Sequence, residues 1–252
     1  MRLTVVGCAA AWGRGAEAAS SCYLVEAGDT AIVLDLGQGA FARLATLRRP
    51  ESLAAILVSH SHADHCVDLV PLRHYLRYEA RATAGTVALH APADLPARFD
   101  ALTGESGFLD DLAFSPVAPG ELRFGPLRVT AARVAHTDDS YAFRVVEDGA
   151  DDGAASALVY SGDCGDPADL IPLLRPGDTL LAEASFGAGP VPAGVPHLGA
   201  AGAAQAARDG GAARLLLTHL QPDVDPEVAL ERASALFPGE TALARPTLAL
   251  DM

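Results

Sequence analysis

His60-Ser61-His62-Ala63-Asp64-His65 follows an apolar run, Ala54-Ala55-Ile56-Leu57-Val58-Ser59, and precedes a stretch with helical spacing that reaches Arg81. Three histidines and an aspartate thus fall at the junction of a strand and a helix. In extended chain, residues two apart project to the same side, so His60 and His62 converge on one cation. The turn into the helix then carries Asp64 and His65 toward a second cation beside the first. Imidazole nitrogen and carboxylate oxygen suit zinc, manganese, iron or nickel, so the donor set alone does not select the metal.

Outward from this run, segments rich in Val, Ile and Leu and bounded by glycine or aspartate predict strands near residues 2–8, 21–27, 30–36 and 54–59. Helical spacing predicts helices over 39–48 and 66–81, the second with Leu69, Leu72, His74, Tyr75, Leu76 and Tyr78 on a broad apolar face. Strands are expected again near 86–90 and in paired runs over 121–147, which flank Gly125-Pro126 and then His136 to Ser140. Further strands at 156–162, 179–184, 213–218 and 241–250 alternate with helices at 166–175, 198–209 and 225–237. Asp148 to Gly153 reads as a hairpin loop. Ile56-Leu57-Val58-Ser59-His60 is echoed by Leu215-Leu216-Leu217-Thr218-His219, two apolar strands that each end in a hydroxyl residue and a histidine. Two halves therefore aim a strand end at one shared site. The pattern is α/β, with sheets in the middle and helices over them, in a single domain spanning 1–252.

The 252 residues carry 18 basic and 32 acidic side chains, a formal net charge of −14, and every basic one is arginine. Such a balance opposes the broad phosphate neutralisation by which proteins hold long nucleic acid. No run approaches the ~18 apolar residues of a membrane span, and the apolar start is too short for a signal sequence, so a cytoplasmic protein is expected. Cys8, Cys22, Cys66 and Cys164 show no C-x-x-C spacing and read as reduced thiols. Cys66 is assigned to helix packing and Cys164 to a small buried side chain. Gly7, Gly13 and Gly15 lack the spacing of a dinucleotide loop. His74 and His90 are assigned to core or surface, and Trp12, Phe108, Tyr141 and Phe186 are the aromatic candidates for stacking on a ring.

H-x-H-x-D-H at the end of an apolar strand resembles the signature of the metallo-β-lactamase superfamily. Three further motifs carry the resemblance: Val134-Ala135-His136-Thr137, Tyr160-Ser161-Gly162-Asp163-Cys164 and Leu217-Thr218-His219-Leu220. It implies an αββα four-layer sandwich of two mixed sheets flanked by helices. It also implies that His60, His62 and His136 hold one metal, that Asp64, His65 and His219 hold the other, and that Asp163 bridges them. Asp35, in Leu34-Asp35-Leu36-Gly37, matches an acidic position that supports the ligand loop.

Leu181-Ala182-Glu183-Ala184-Ser185-Phe186 and Pro196-His197-Leu198-Gly199 resemble segments of ribonuclease Z-like phosphodiesterases, in which a glutamate and a histidine act as a pair. By that resemblance Glu183 orients His197, the general acid, although a hydroxyl residue usually stands where this chain has Gly199. Within the branch the chain is most similar to small actinobacterial proteins described as cyclic-nucleotide-degrading phosphodiesterases. The implied enzyme is a hydrolase with two divalent ions, Zn2+ with Mn2+ or Fe2+ as alternatives, and with Asp64, Glu183 and His197 as catalytic residues. A metal-bridging hydroxide would attack a small cyclic nucleotide phosphodiester. Relatives of this kind are commonly homodimers.

Three other readings stand beside it. A ribonuclease Z-type tRNA 3′ endonuclease needs a basic arm, but the segment between His90 and His136 sets Arg98, Arg123, Arg128 and Arg133 against six acidic residues. A carbonyl hydrolase acting on thioesters or lactones would use the same metals to polarise C=O. A non-catalytic metal-binding interaction protein would keep the ligands without turnover.

Overall fold

The computed structural model describes residues 1–15, 18–81, 87–149 and 157–252. The first half contains β1 (Arg2–Gly7), β2 (Cys22–Ala27), β3 (Thr30–Leu34), α1 (Ala40–Leu47), β4 (Ala55–Leu57), α2 (Ala63–Cys66), α3 (Leu69–Tyr78), β5 (Ala88–Ala91), α4 (Leu95–Thr103) and β6 (Ala113–Pro116). The second contains β7 (Gly120–Phe124), β8 (Leu127–Arg133), β9 (Tyr141–Glu147), β10 (Leu158–Tyr160), β11 (Thr179–Glu183), α5 (Ala200–Gly210), β12 (Arg214–Thr218), α6 (Pro226–Ser234), β13 (Glu240–Leu243) and β14 (Ala249–Asp251).

Two mixed seven-stranded sheets result, ordered β14-β1-β2-β3-β4-β5-β6 and β13-β12-β11-β10-β9-β8-β7. Between them lies a core built from Val5, Tyr23, Ile32 and Leu34 of one sheet and Phe143, Val145, Leu158, Leu181 and Leu216 of the other. Leu44, Leu72, Leu76 and Phe99 pack α1, α3 and α4 on the outer face of the first sheet, against residues such as Val33 and Ile56. Ala203, Ala204, Ala207 and Ala229 pack α5 and α6 on the second. Alanine on these helical faces lets the helices lie close to the sheet. The layers are therefore helix, sheet, sheet, helix, as the resemblance implies.

Strand polarity decides where a site can form. β1 and β3 each pair antiparallel with β2, and β3 pairs parallel with β4, so β1, β3 and β4 point the same way. β10 through β13 are mutually parallel, and β8 joins their direction through antiparallel β9. A parallel bridge between Ala9, beyond β1, and Leu220, beyond β12, brings both sets of carboxyl ends to one edge. In α/β sheets that edge is where ligands bind.

Several elements differ from expectation. The helix over 66–81 is two: His62 remains extended as the N-cap of α2, and the chain resets at Asp68, whose carboxylate accepts the Phe41 amide at 2.8 Å. Arg73, not His74 or Tyr78, turns inward from α3 and is 1% exposed. Ion pairs with Glu105 and Asp111 and the ring of Phe108 beneath its guanidinium compensate the buried charge. The helix expected at 166–175 is a pair of 3-10 turns, because Pro167 and Pro172 lack amide donors. The strand expected at 241–250 splits at Arg245-Pro246 into β13 and β14, which join opposite sheets. α4 and β6 were not expected, and β6 is an edge strand with three exposed residues of four. β9 and β10 pair antiparallel around the expected hairpin loop, of which residues 150–153 lie outside the described residues.

Candidate active site

The expected site residues all meet at the shared edge, most of them at or just past strand ends. His60 and His62 follow β4, and the first turn of α2 carries Asp64 and His65. His136 follows β8, Asp163 follows β10, Glu183 ends β11 and His219 follows β12. His219 has a φ of 56°, an unusual value for a side chain with a Cβ, and its amide donates to Cys8 O at 3.0 Å.

Two groups of donors form on either side of Asp163, and a third combines Asp163 and His219 with His197. His60 Nε2 is 2.9 Å from His62 Nδ1, which is 3.2 Å from His136 Nε2. His65 Nε2 is 3.2 Å from His219 Nε2, and His219 Nε2 is 3.1 Å from Asp64 Oδ2. Asp163 stands between the groups. Its Oδ2 lies 3.7 Å from His60 Nε2 and from His136 Nε2, while its Oδ1 lies 3.3 Å from His65 Nε2 and 3.5 Å from His219 Nε2. Within each group one donor atom per residue falls within 4.8 Å of the others.

Asp163 Oδ1 is buried and makes no hydrogen bond, an expensive state for a carboxylate oxygen unless a cation meets it. Nitrogen lone pairs facing one another at these separations call for the same partner, so the donor set fits two divalent ions. Burial, then the charge of His65, holds His60 well below the usual imidazole range and leaves a neutral ring able to ligate. Burial opposes charge on His65 too, but the carboxylates of Asp163 and Asp35 outweigh it and push that group well up. Asp163 is held well below the usual carboxylate range, because His219 and His65 outweigh its burial.

Asp35 braces the ligand turn from beneath, through Ser59 and His65. Its Oδ1 accepts from Ser59 N at 2.6 Å, and its Oδ2 accepts from Ser59 Oγ at 2.8 Å, His65 Nδ1 at 2.7 Å and Tyr160 OH at 2.6 Å. Fixing His65 through Nδ1 leaves Nε2 for a metal. Gly37 lies so close to the ligand turn that a Cβ there would stand 1.9 Å from Asp64 O.

Glu183 and His197 also meet at this edge. His197 Nδ1 is 2.9 Å from Glu183 Oε1 and 3.7 Å from Asp163 Oδ2. Glu183 Oε1 accepts the Cys164 amide at 2.8 Å, and Ser185 Oγ donates to Glu183 Oε2 at 2.5 Å. Ser185 and Tyr160 carried no assignment in the sequence reading, although each lies inside a quoted motif. Ser185 is two residues past Glu183 at the end of a strand, a spacing that could have drawn it to the same side. At Gly199 a Cβ would stand 3.0 Å from Gly187 O, so the loop leaves little room for the hydroxyl residue usual there.

Cys66 and Cys164 are buried, and burial raises the Cys164 thiol to about 12, which keeps it neutral. His74 is exposed on α3, while His90 packs its ring against Phe124. Phe108 and Tyr141 belong to the interior, each 2% exposed, Phe186 lies 6.3 Å from the His197 ring, and Trp12 is exposed. No helix among the described residues is long and apolar enough to cross a membrane.

Comparison with known proteins agrees with this architecture. The family described as the Beta-lactamase superfamily domain matches residues 30–220. An uncharacterized protein of Mycobacterium leprae is 34% identical over 246 residues, covering 95% of this chain and 84% of its own. The probable metallo-hydrolase YhfI of Bacillus subtilis is 28% identical over 248 residues, 97% of each chain. The crystal structure of YhfI, a metallo-beta-lactamase fold protein, matches with a TM-score of 0.85 and 26% identity over 99% of each chain. Human tRNase Z, short form, shares the fold with a TM-score of 0.74 at 18% identity, over all of this chain and 99% of its own.

Proposed function

From the premise that the chain belongs to the metallo-β-lactamase superfamily, we propose that it is a phosphodiesterase of the ribonuclease Z-like branch, acting on a small nucleotide, cyclic nucleotides first among them. His60, His62 and His136 would hold one divalent ion, Asp64, His65 and His219 the other, with an oxygen of Asp163 toward each. Such ions supply Lewis acidity toward a phosphoryl oxygen and lower the pKa of water to near neutrality.

The observation that carries the reading is the Glu183–His197 pair, 2.9 Å apart and turned toward Asp163. Glu183 accepts from His197 Nδ1, which leaves Nε2 as the atom that gives a proton to the leaving oxygen. An alkoxide expelled from phosphorus needs that proton far more than a thiolate expelled from a thioester does. This favours a phosphodiester over a thioester among the substrates that the same donors would serve. Asp64, grouped with His65 and His219, would orient the attacking water by accepting its hydrogen bond. The formal charge of −14 favours a small ester over a long polyanion such as tRNA.

Protein loaded with Zn2+ or Mn2+ is expected to hydrolyse bis(p-nitrophenyl) phosphate and a cyclic nucleotide. Turnover of thioesters or lactones alone would overturn the reading. His197→Ala should slow the cyclic nucleotide about a hundredfold or more, and the p-nitrophenyl diester much less, since p-nitrophenolate leaves without a proton. Equal losses on both substrates would remove the general-acid role.

A further inference from the structure

Behind His219, whose amide donates to Cys8 O at 3.0 Å, lies a hollow of about 370 Å³ walled by Cys8, Trp12, Arg14, Leu220, Pro222 and Pro246. His219 belongs to both places. Its ring joins Asp64 and Asp163, while the next residue, Leu220, lines the hollow and pairs with Ala9. Along the chain, the wall of the hollow thus begins one residue from a candidate metal ligand.

Its wall has an unusual composition for this chain. Trp12, the sole tryptophan, is 52% exposed. The Arg14 guanidinium lies over the indole, 5.5 Å from the ring centroid. Arg14 is the one charged group among the described lining residues, in a protein of formal charge −14. Burial pushes the Cys8 thiol up to about 11, so it adds no negative charge.

The segment leading to the indole is anchored. Ser20 Oγ donates to Ala10 O at 2.9 Å, and Gln38 Nε2 donates to Ala11 O at 3.1 Å. An exposed indole on an anchored segment, beside a guanidinium, is an arrangement suited to a flat, electron-rich ring: the indole supplies a stacking face and the guanidinium a donor for ring oxygen or nitrogen.

We propose that this hollow seats the heteroaromatic ring of the substrate, with Trp12 against its face and Arg14 at its polar edge. The assignment rests on the phosphodiesterase reading, which places the substrate's phosphate on the other side of His219. It gives the nucleobase of that substrate a place in the fold.

Because Trp12 is the only indole, its fluorescence reports the hollow directly. Titrating the metal-loaded protein with adenosine 5′-monophosphate should quench that fluorescence saturably, and ribose 5-phosphate should leave it unchanged. Trp12→Ala should raise KM for a cyclic nucleotide about tenfold, with the loss falling on KM rather than kcat, and Trp12→Phe should restore most of it by keeping a stacking ring. Fluorescence that ignores adenosine 5′-monophosphate, with KM unchanged in Trp12→Ala, overturns the ring seat even if diesters are hydrolysed. Saturable quenching in a protein that hydrolyses no diester supports the seat and overturns the phosphodiesterase reading instead.

Discussion

Ser185 Oγ stands 3.0 Å from His219 Nδ1 while donating its own proton to Glu183 Oε2 at 2.5 Å. The hydroxyl must then accept from His219 Nδ1–H, which fixes the tautomer that presents Nε2 toward Asp64 and Asp163. One side chain therefore positions a candidate metal-ligating histidine and the partner of the proposed general acid together. Ser185→Ala should weaken metal at the Asp64, His65 and His219 group by about 10- to 100-fold and lower kcat, with Ser185→Thr recovering both. Metal titration followed by kinetics checks this, and Thr failing where Ala fails would indicate a purely steric role.

Charge on Glu183 sets the working range of His197. Burial depresses the His197 imidazolium, but the hydrogen bond and charge of Glu183, with Asp163 behind, lift its pKa above the ordinary imidazole value. A raised pKa keeps the acid protonated further into the alkaline range. Glu183→Gln withdraws that charge, so the alkaline limb of the kcat profile should move to lower pH, and the loss should be larger at alkaline than at neutral pH. An alkaline limb that stays in place would assign the proton to another group.

Asp35 combines a φ of 59° with a carboxylate that receives donors from Ser59, His65 and Tyr160. Asparagine tolerates that backbone but turns an amide toward those donors. Asp35→Asn is therefore expected to destabilise the fold by about 3–5 kcal/mol, and Tyr160→Phe by about 1–3 kcal/mol. Urea unfolding of each variant, with metal absent throughout, separates this bracing from any effect of ions.

Gly37→Ala tests how closely the ligand turn is packed. The new Cβ would meet the backbone oxygen of Asp64 at 1.9 Å, and Leu36 N already donates to His65 O at 2.8 Å. Backbone must shift, at a cost of about 1–3 kcal/mol, and Asp64 shifts with it. Metal analysis should show the Asp64, His65 and His219 group depleted before the His60, His62 and His136 group.

Chelation should abolish hydrolysis, and added Zn2+ or Mn2+ should restore it. Ions that bind only the folded state at about a hundred times their Kd add roughly 2.7 kcal/mol of stability, which raises the thermal midpoint by several degrees. Asp163→Ala should erase that difference together with activity. A variant that stays fully loaded and active would contradict the place given to Asp163 between the groups.

Much of the donor cluster is legible in the sequence, because its members follow apolar strands within a few residues. His60 and His219 end two such runs, and the spacing of His62, Asp64 and His65 encodes the change from extended chain to helix. Ser185 and Tyr160 act through hydrogen bonds to residues distant in sequence or assigned to other roles, and nothing in their own neighbourhoods announces that. Arg73 points inward because Glu105 and Asp111 arrive from elsewhere in the chain, where helical periodicity alone would put a cation outside. β13 and β14 read as one strand until Pro246 and the choice of sheet separate them. Local pattern carried the donors, and tertiary pairing supplied their supports.

Each donor group draws on both sheets. His60 and His62 come from the first half and His136 and Asp163 from the second; Asp64 and His65 come from the first and His219 from the second. Neither half alone can complete either of these two groups. During folding, a cation would find its full set of donors only after the halves have docked, so its uptake marks a late step and can serve as a clock for sandwich closure. Two separately expressed halves should likewise associate more tightly when Zn2+ is present, with the ions acting as rivets across the seam.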